Sequence, residues 1–206
     1  MDTGYASWRA QIWTRWPSNG SSEAFGDAAT YHRVAKYFVD WGAAFDQGML
    51  YFDVRLAEKY PTIEIRVADV CTEVEDAVLV AALARGLVET AARSSESGDP
   101  LPPWRGDQLR VAHWRASRYG VSGQLVHPEE LRLAPVRDVF GALARHVGPA
   151  LEDAGDREMV ESAFEHLLSR GNGAARQRAV FESKGDLSAV VTDLRERTEA
   201  SWKTPD

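Results

Sequence analysis

The segment from Tyr60 to Asp69 restricts the fold most strongly, because charged and apolar residues alternate along it with a period of two. Glu64 and Arg66 occupy two alternate positions, while residues 63, 65 and 67 are aliphatic. Successive side chains of a strand point to opposite faces, so the pattern predicts a strand with one apolar and one charged face. Acidic residues are depleted in strands, and the charged face is therefore either solvated or the wall of a polar site.

A second segment, Tyr51–Leu56, alternates in the same way and places Asp53 and Arg55 on one face. Together the two segments predict an antiparallel hairpin with two carboxylates and two guanidiniums on its charged face. A hairpin of two strands is marginally stable by itself. Its edges therefore need cover, either from helices of this chain or from strands of another polypeptide.

The composition is that of a globular protein: 206 residues, 44% of them hydrophobic and 27% charged, with a formal net charge of −7. The negative charge argues against a surface that follows nucleic-acid phosphates. The apolar run 77–84 is far shorter than the ~20 residues that cross a bilayer, and no secretion signal is apparent. The lone cysteine, Cys71, excludes an internal disulfide and any cysteine-based metal motif. We therefore expect a cytoplasmic protein with neither nucleic acid nor membrane among its partners.

A cluster of breakers and small polar residues at 94–107 predicts a loop that divides the chain. Residues 1–93 then form a sheet-bearing part and residues 108–206 a helical lobe of the same domain. The first part contains a predicted helix from Asp27 to Trp41. The expected fold class is α+β.

Another helix is predicted to start near Thr72, because Thr72 and Glu75 have capping-box spacing. Residues 124–133 form a weaker strand region. In the helical lobe, apolar residues recur at intervals of three and four, which predicts amphipathic helices. These residues are Val136, Val139, Phe140, Leu143 and Val147, then Val160, Phe164, Leu167 and Leu168, then Leu187, Val190, Val191 and Leu194.

The order Glu64-x-Arg66 on one strand face has a chemical use. A carboxylate oxygen is a hard ligand for Mg²⁺, and a guanidinium about 7 Å further along the face holds a phosphate oxygen bidentately. The pair thus fits a metal-bound nucleotide. The alternative is a purely structural lattice of cross-strand ion pairs among Asp53, Arg55, Glu64 and Arg66.

A second candidate lies in residues 113–120. On a helix Arg115 and Arg118 are three residues apart and share a face that fits an anionic substrate. The alternative is a surface helix whose arginines lie over aromatic rings. A third candidate is the opening segment, where Arg9 lies among tryptophans ahead of a small polar stretch, 17–22. Such a stretch is either a flexible substrate loop or an ordinary turn.

Five segments, in their order and spacing, resemble the C-terminal half of the bacterial carboxylate–amine ligases of the glutamate–cysteine ligase type 2 family. The five segments are 2–13, Trp16-Pro17, Asp53–Arg55, 62–69 and 113–120, and the stretch 170–178 also resembles the tail of that family. The resemblance covers essentially the whole chain.

This resemblance implies part of a glutamine-synthetase-like catalytic fold, in which an antiparallel sheet curves around a site for ATP and Mg²⁺. ATP would phosphorylate a small-molecule carboxylate, and an amine would then attack the acyl phosphate to give an amide. By similarity Glu64 is a metal ligand and Arg66 a catalytic, phosphate-facing residue. Weaker candidates for contacts with ATP or substrate complete the set: Arg9, Arg55, Arg115 and Arg118.

Members of that family are much longer, and their N-terminal half carries further metal carboxylates. We therefore expect a separate N-terminal half to be needed for activity, and the isolated chain to be inactive and to form a homo-oligomer through its sheet edge. The alternative is a catalytically inactive remnant or an interaction module that needs a partner chain.

Overall fold

The structure is a computed structural model that describes residues 2–200; Met1 and residues 201–206, the last of the predicted helical lobe, lie outside the described residues. The described chain is mostly helical and carries two small antiparallel hairpins. None of its helices has both the length and the apolar character needed to cross a membrane. The helices are α1 Trp8–Trp13, α2 Ala28–Asp40, α3 Val74–Ser97, α4 Gly106–Tyr119, α5 Val136–Ala154, α6 Arg157–Arg170, α7 Gly173–Lys184 and α8 Leu187–Ala200. The strands are β1 Val54–Leu56, β2 Ile63–Ile65, β3 Gln124–Val126 and β4 Leu133–Pro135.

The predicted charged hairpin is confirmed. Strands β1 and β2 pair antiparallel with Arg55 opposite Glu64 and Val54 opposite Ile65. Its burial is unusual, because Arg55 is only 9% exposed whereas Val54 and Ile63 are 51% and 47% exposed. At this position the charged face is turned toward the protein and the apolar face toward solvent.

The helix predictions hold for the periodic segments. The segment 27–41 contains α2, and the Asp27 carboxylate caps it by accepting the Thr30 backbone N–H at 2.6 Å. The three amphipathic stretches of the helical lobe correspond to α5, α6 and α8. The weak strand region at 124–133 extends to Pro135 and is a second hairpin, formed by β3 and β4.

Two sequence predictions are wrong in detail. Helix α3 begins at Val74 with Glu73 at its N-cap, one residue past the position that a Thr72 capping box requires. No side chain of residues 2–200 caps it. The loop predicted for 94–107 is too long, because α3 continues to Ser97 and α4 begins at Gly106. Serine and glutamate can extend a helix, and the actual stop is Gly98, whose φ of 73° is left-handed and suits glycine.

Two apolar clusters hold the described chain together. The first joins α3 with α5 and α6, so helices on both sides of the 98–105 loop share one core. Its buried members are Leu79, Ala82, Val147, Leu151 and Val160. The second packs α2 against the chain that leads into β1, through Tyr31, Ala35, Leu50 and Phe52. The second cluster therefore fixes where the charged hairpin starts.

Leu151→Ala is expected to lower the free energy of unfolding by about 2–5 kcal/mol, because Leu151 is 2% exposed and truncation leaves a cavity in the first cluster. Leu187→Ala is the matched control, since Leu187 is 61% exposed, and its cost should stay near ~0.5 kcal/mol. Urea denaturation followed by circular dichroism measures both. Equal losses for the two variants would contradict this assignment of the core.

Candidate functional site

The charged face of the first hairpin places Glu64 between two arginines. Arg55 Nε donates to Glu64 Oε2 at 2.8 Å, and Arg66 Nη1 donates to the same oxygen at 3.2 Å. The antiparallel register sets this geometry, because Arg55 lies directly opposite Glu64 and Arg66 follows two residues later on the same face. Oε1 of Glu64 accepts no hydrogen bond from any residue in 2–200. One carboxylate oxygen is thus left available to a ligand.

Arg55 is held mainly by backbone. Its Nη1 donates to the carbonyls of Gly48 at 2.6 Å and Leu50 at 2.9 Å, in the short 3₁₀ turn and the residue that follows it. These bonds satisfy a buried guanidinium, which is costly to leave unpaired. Since Nε is bonded to Glu64, the observed role of Arg55 is to orient that carboxylate. A direct contact of Arg55 with ATP or substrate stays a prediction.

Arg66 and Arg9 are brought together by an aromatic cluster. The Arg66 guanidinium lies over the Tyr51 ring at 5.8 Å, and the Arg9 guanidinium lies over the Trp13 ring at 5.7 Å. The two rings contact each other with centroids 4.8 Å apart. Arg9 Nη2 also donates to the Arg66 carbonyl at 3.1 Å. Arg66 is half-buried and uses only Nη1 for Glu64, so its other donors can meet an anion.

Asp53 is not part of this cluster of charges. Its Oδ2 accepts a hydrogen bond from Ser21 Oγ at 2.6 Å and lies 3.5 Å from His113 Nδ1 on α4. Of the four residues predicted to form an ion-pair lattice, only Arg55, Glu64 and Arg66 are therefore joined to one another. Sequence reasoning did not single out His113 as a site residue. The only available signal was its position at the start of the 113–120 segment.

Arg115 and Arg118 lie elsewhere and contact aromatic rings. Arg115 Nε donates to the Gln124 carbonyl of β3 at 2.7 Å, and its guanidinium lies 4.6 Å from the Tyr119 ring centroid. Arg118 lies over the rings of Tyr5 and Tyr119 at 5.2 and 5.6 Å. No observed contact within residues 2–200 links either arginine to Glu64 or Arg66. The geometry is that of the structural alternative, and substrate contact stays a prediction.

The arginines keep Glu64 ionised. The hydrogen bond from Arg55 is the main cause that lowers the pKa of Glu64 below its ordinary 4.5, and the charge of Arg55 and the contact with Arg66 add to it. Burial acts in the opposite direction but is outweighed. The carboxylate is therefore anionic at neutral pH, as a metal ligand must be.

Residues 2–200 do not build a magnesium site by themselves. Among them, no group of three or more histidine, cysteine, aspartate or glutamate side chains is placed to hold a metal ion. Mg²⁺ requires near-octahedral oxygen ligation, whereas this face offers the one free oxygen of Glu64. Further oxygens would have to come from nucleotide, water or another stretch of polypeptide.

A cleft of about 830 Å³ opens beside Arg9, between the opening segment, residues 68–72 and helices α3, α7 and α8. One wall carries the ion pair of Asp2 with Arg178, whose Nε lies 2.7 Å from Asp2 Oδ2. That hydrogen bond lowers the pKa of Asp2 to about 2. Because Arg9 also bonds to Arg66, it connects the cleft to the charged face.

The comparison with known proteins fits this geometry. The model of the glutamate–cysteine ligase family 2 matches residues 1–193. The chain belongs to this family. It is 50% identical, over 99% of its length, to a Frankia alni protein named as a candidate glutamate–cysteine ligase 2-2. It is 52% identical, over its whole length, to a Nocardioides protein named as a candidate glutamate–cysteine ligase 2-1. It is 46% identical, over 97% of its length, to a Streptomyces coelicolor protein named as a candidate glutamate–cysteine ligase 2.

The match covers only part of each relative. The chain accounts for 53% of the Frankia and Nocardioides proteins and 55% of the Streptomyces protein. It therefore spans about half the length of the curated relatives it matches. The family predicted from the five sequence segments is confirmed, while the roles of the individual site residues remain predictions.

The Glu64 carboxyl should titrate below 4.5, and Arg55→Gln should raise its pKa more than Arg66→Gln does, because the Arg55 hydrogen bond is the larger cause. The ion pair should stabilise the fold above the unfolded pKa and cease to do so as pH falls through the folded value. Carbon-detected NMR titration measures the pKa, with the β3 and β4 amide shifts as a control for folding. A larger effect of Arg66→Gln would contradict the assigned geometry.

Proposed function

We propose that this chain is the C-terminal portion of an ATP-dependent carboxylate–amine ligase. The observation that carries the proposal is the Glu64–Arg66 face, an ionised carboxylate with a free oxygen beside an arginine with free donors, in a chain matched by the ligase family over residues 1–193. In the proposed reaction a carboxylate oxygen attacks the γ-phosphorus of ATP and ADP leaves. An amine then attacks the acyl carbon and phosphate leaves, which gives the amide.

In this proposal Arg66 receives the phosphoryl oxygens. A guanidinium presents two parallel N–H donors, and stabilising charge on the transferring group is the main catalytic task in phosphoryl transfer. Glu64 would supply one oxygen ligand to Mg²⁺, which would neutralise phosphate charge. Arg55 would act as a positioning residue, since it holds Glu64 in place.

The finer assignments belong to the same proposal. The fold would be glutamine-synthetase-like, with residues 1–93 in its sheet-bearing core and residues 108–206 as its helical lobe. Arg9 is the best supported of the weaker ATP or substrate candidates, because it lies between Arg66 and the cleft. The names of the relatives suggest glutamate and cysteine as the carboxylate and the amine. The free thiol of Cys71 fits a reducing cytoplasm.

A second candidate function is an inactive remnant or interaction module. It is favoured by one observation, the incomplete set of metal ligands among residues 2–200. The two functions are separated by an ATP-consumption assay with panels of carboxylates and amines. The assay is run on the isolated chain, which we expect to be an inactive homo-oligomer, and again after adding the remaining part of the Frankia relative. Turnover only in the complemented sample supports the ligase.

Glu64→Gln should weaken the Mg²⁺ dependence of ATP binding in the complemented complex. The amide keeps the shape of the side chain but removes the ligand charge, and a loss of at least about tenfold in metal affinity is expected, since even outer-shell changes cost that much. Glu58→Gln, in the exposed turn of the same hairpin, is the matched control. Isothermal titration calorimetry measures the affinity of each variant for Mg-ATP. An unchanged affinity in Glu64→Gln would mean that Glu64 is not a metal ligand.

Arg66→Lys should be nearly as damaging to turnover as Arg66→Ala, because an ammonium cannot reproduce a bidentate fork on phosphate. We expect about a hundredfold loss of kcat for both, the scale of losing one donor to a developing charge. Arg110→Lys, on the exposed side of α4, is the control. Steady-state kinetics on the complemented enzyme give the answer; a lysine variant that keeps most of the activity would indicate a simple charge or packing role.

A further inference from the structure

The hairpin of β1 and β2 exposes part of its apolar face, whereas Leu56 at one end of that face packs against the second apolar cluster. Val54, Ile63 and Ile65 are 51%, 47% and 36% exposed, and Val54 lies directly opposite Ile65. Val67, two residues past the end of β2, is also 41% exposed. Single exposed aliphatic residues are ordinary, whereas a contiguous group on one strand face marks a surface that another element covers.

The backbone pairing shows which groups point away from the hairpin. Ala57 N–H donates to the Thr62 carbonyl at 2.9 Å and Arg66 N–H donates to the Asp53 carbonyl at 2.8 Å. Hydrogen-bonded pairs alternate with non-hydrogen-bonded pairs in an antiparallel ladder. The backbone groups of the intervening residues therefore point outward. These residues are Val54 and Leu56 on β1 and Ile63 and Ile65 on β2.

The two outer edges differ. On the β1 side the chain covers its own edge, because Leu56 N–H donates to the Tyr31 hydroxyl at 3.2 Å and Phe52 forms a parallel bridge with Gly20. On the β2 side no residue in 2–200 bonds to the backbone of Ile63 or Ile65. An edge strand with unpaired amides is a template for a further strand. The structure thus has one covered and one open edge.

We propose that the open edge of β2 and the adjoining apolar face are the docking surface for the remaining part of the ligase, which pairs an extended segment along β2. This rests on the proposed function. The lengths of the relatives support this occupant, because about half of each relative lies outside the match to this chain. The docked strand alternates: its apolar side chains extend the face of Ile63 and Ile65, and its polar side chains lie beside Glu64 and Arg66.

A second copy of this chain fits the edge less well. Two-fold pairing of β2 with itself, centred on Glu64, places the two Glu64 side chains opposite each other. Like charges directly opposite each other on adjacent strands are destabilising. Self-association at this edge is therefore the weaker competitor, and the remaining part of the ligase displaces it.

The test is co-expression of the full chain with a tagged polypeptide that comprises the unmatched part of the Frankia relative, followed by co-purification and affinity measurement without ATP. Ile65→Pro removes an outward amide without touching the β1–β2 ladder, and Val54→Lys places a charge on the apolar face. Each should weaken binding at least tenfold. Val191→Lys, at a position on α8 that is 66% exposed, is the matched control and should bind like the wild type.

Hydrogen exchange on the wild-type complex gives a readout that does not depend on the variants folding. The Ile63 and Ile65 amides should exchange at least tenfold more slowly in the complex than in the isolated chain, with no change at Val191. The proposal is overturned if the wild-type chain does not co-purify or if both hairpin variants bind like the control. It is also overturned if the two amides are not protected, or if a second copy of this chain stays bound at the β2 edge when the remaining part of the ligase is present. Docking without ligase activity would contradict the proposed function but not the docking surface. Ligase activity that is unaffected by Ile65→Pro would contradict the docking surface but not the proposed function.

Discussion

The buried guanidinium of Arg55 is the interaction on which the charged hairpin depends. A cation that is 9% exposed is tolerated only when its donors are paired. The partners of Arg55 are the carbonyls of residues 47, 48 and 50, just ahead of β1, and the Glu64 carboxylate. These bonds tie the turn at 47–50 to β2. Leu50 lies in the second apolar cluster, so the hairpin is anchored to α2 through the same short segment. With Arg55 turned inward, Val54, Ile63 and Ile65 on the opposite face remain exposed.

The ion pairs of Glu64 are compatible with the ligand role proposed for it. Both arginines bond to Oε2, and among the described residues no donor reaches Oε1. The contact with Arg55 fixes the carboxylate and keeps it ionised, which a metal ligand also requires. Arg66 adds a second, more exposed cation whose Nε and Nη2 make no hydrogen bond within residues 2–200. The ion-pair alternative and the proposed ligand role are therefore compatible, and only Asp53, which lies 3.5 Å from His113, is outside the cluster.

The sequence predicts the parts of this structure that rest on local periodicity. Alternation gives the β1–β2 hairpin, and a period near 3.6 gives α5, α6 and α8. The inward orientation of Arg55 could not be predicted from the sequence, because its carbonyl partners lie in and next to a 3₁₀ turn that has no periodic pattern. The contact of Asp53 with His113 joins residues 60 positions apart and depends on how α4 packs. Motif resemblance identified the family, but it cannot say which oxygen of Glu64 is free.

Two features that have no local explanation lie on the same three-residue strand. On one face of β2, Glu64 has an oxygen that accepts no hydrogen bond within residues 2–200, and that part of the chain supplies too few further ligands for Mg²⁺. On the other face, Ile63 and Ile65 are aliphatic and exposed. A single added strand addresses both, because its alternate side chains reach the two faces at once. Its phase is then fixed, since a slip of one residue would send its apolar side chains to the Glu64 face and its polar ones to the isoleucines. In the proposed arrangement, the register that covers the apolar face is therefore also the register that places the polar side chains of the docked strand beside Glu64, so docking and the supply of further ligands would depend on one alignment.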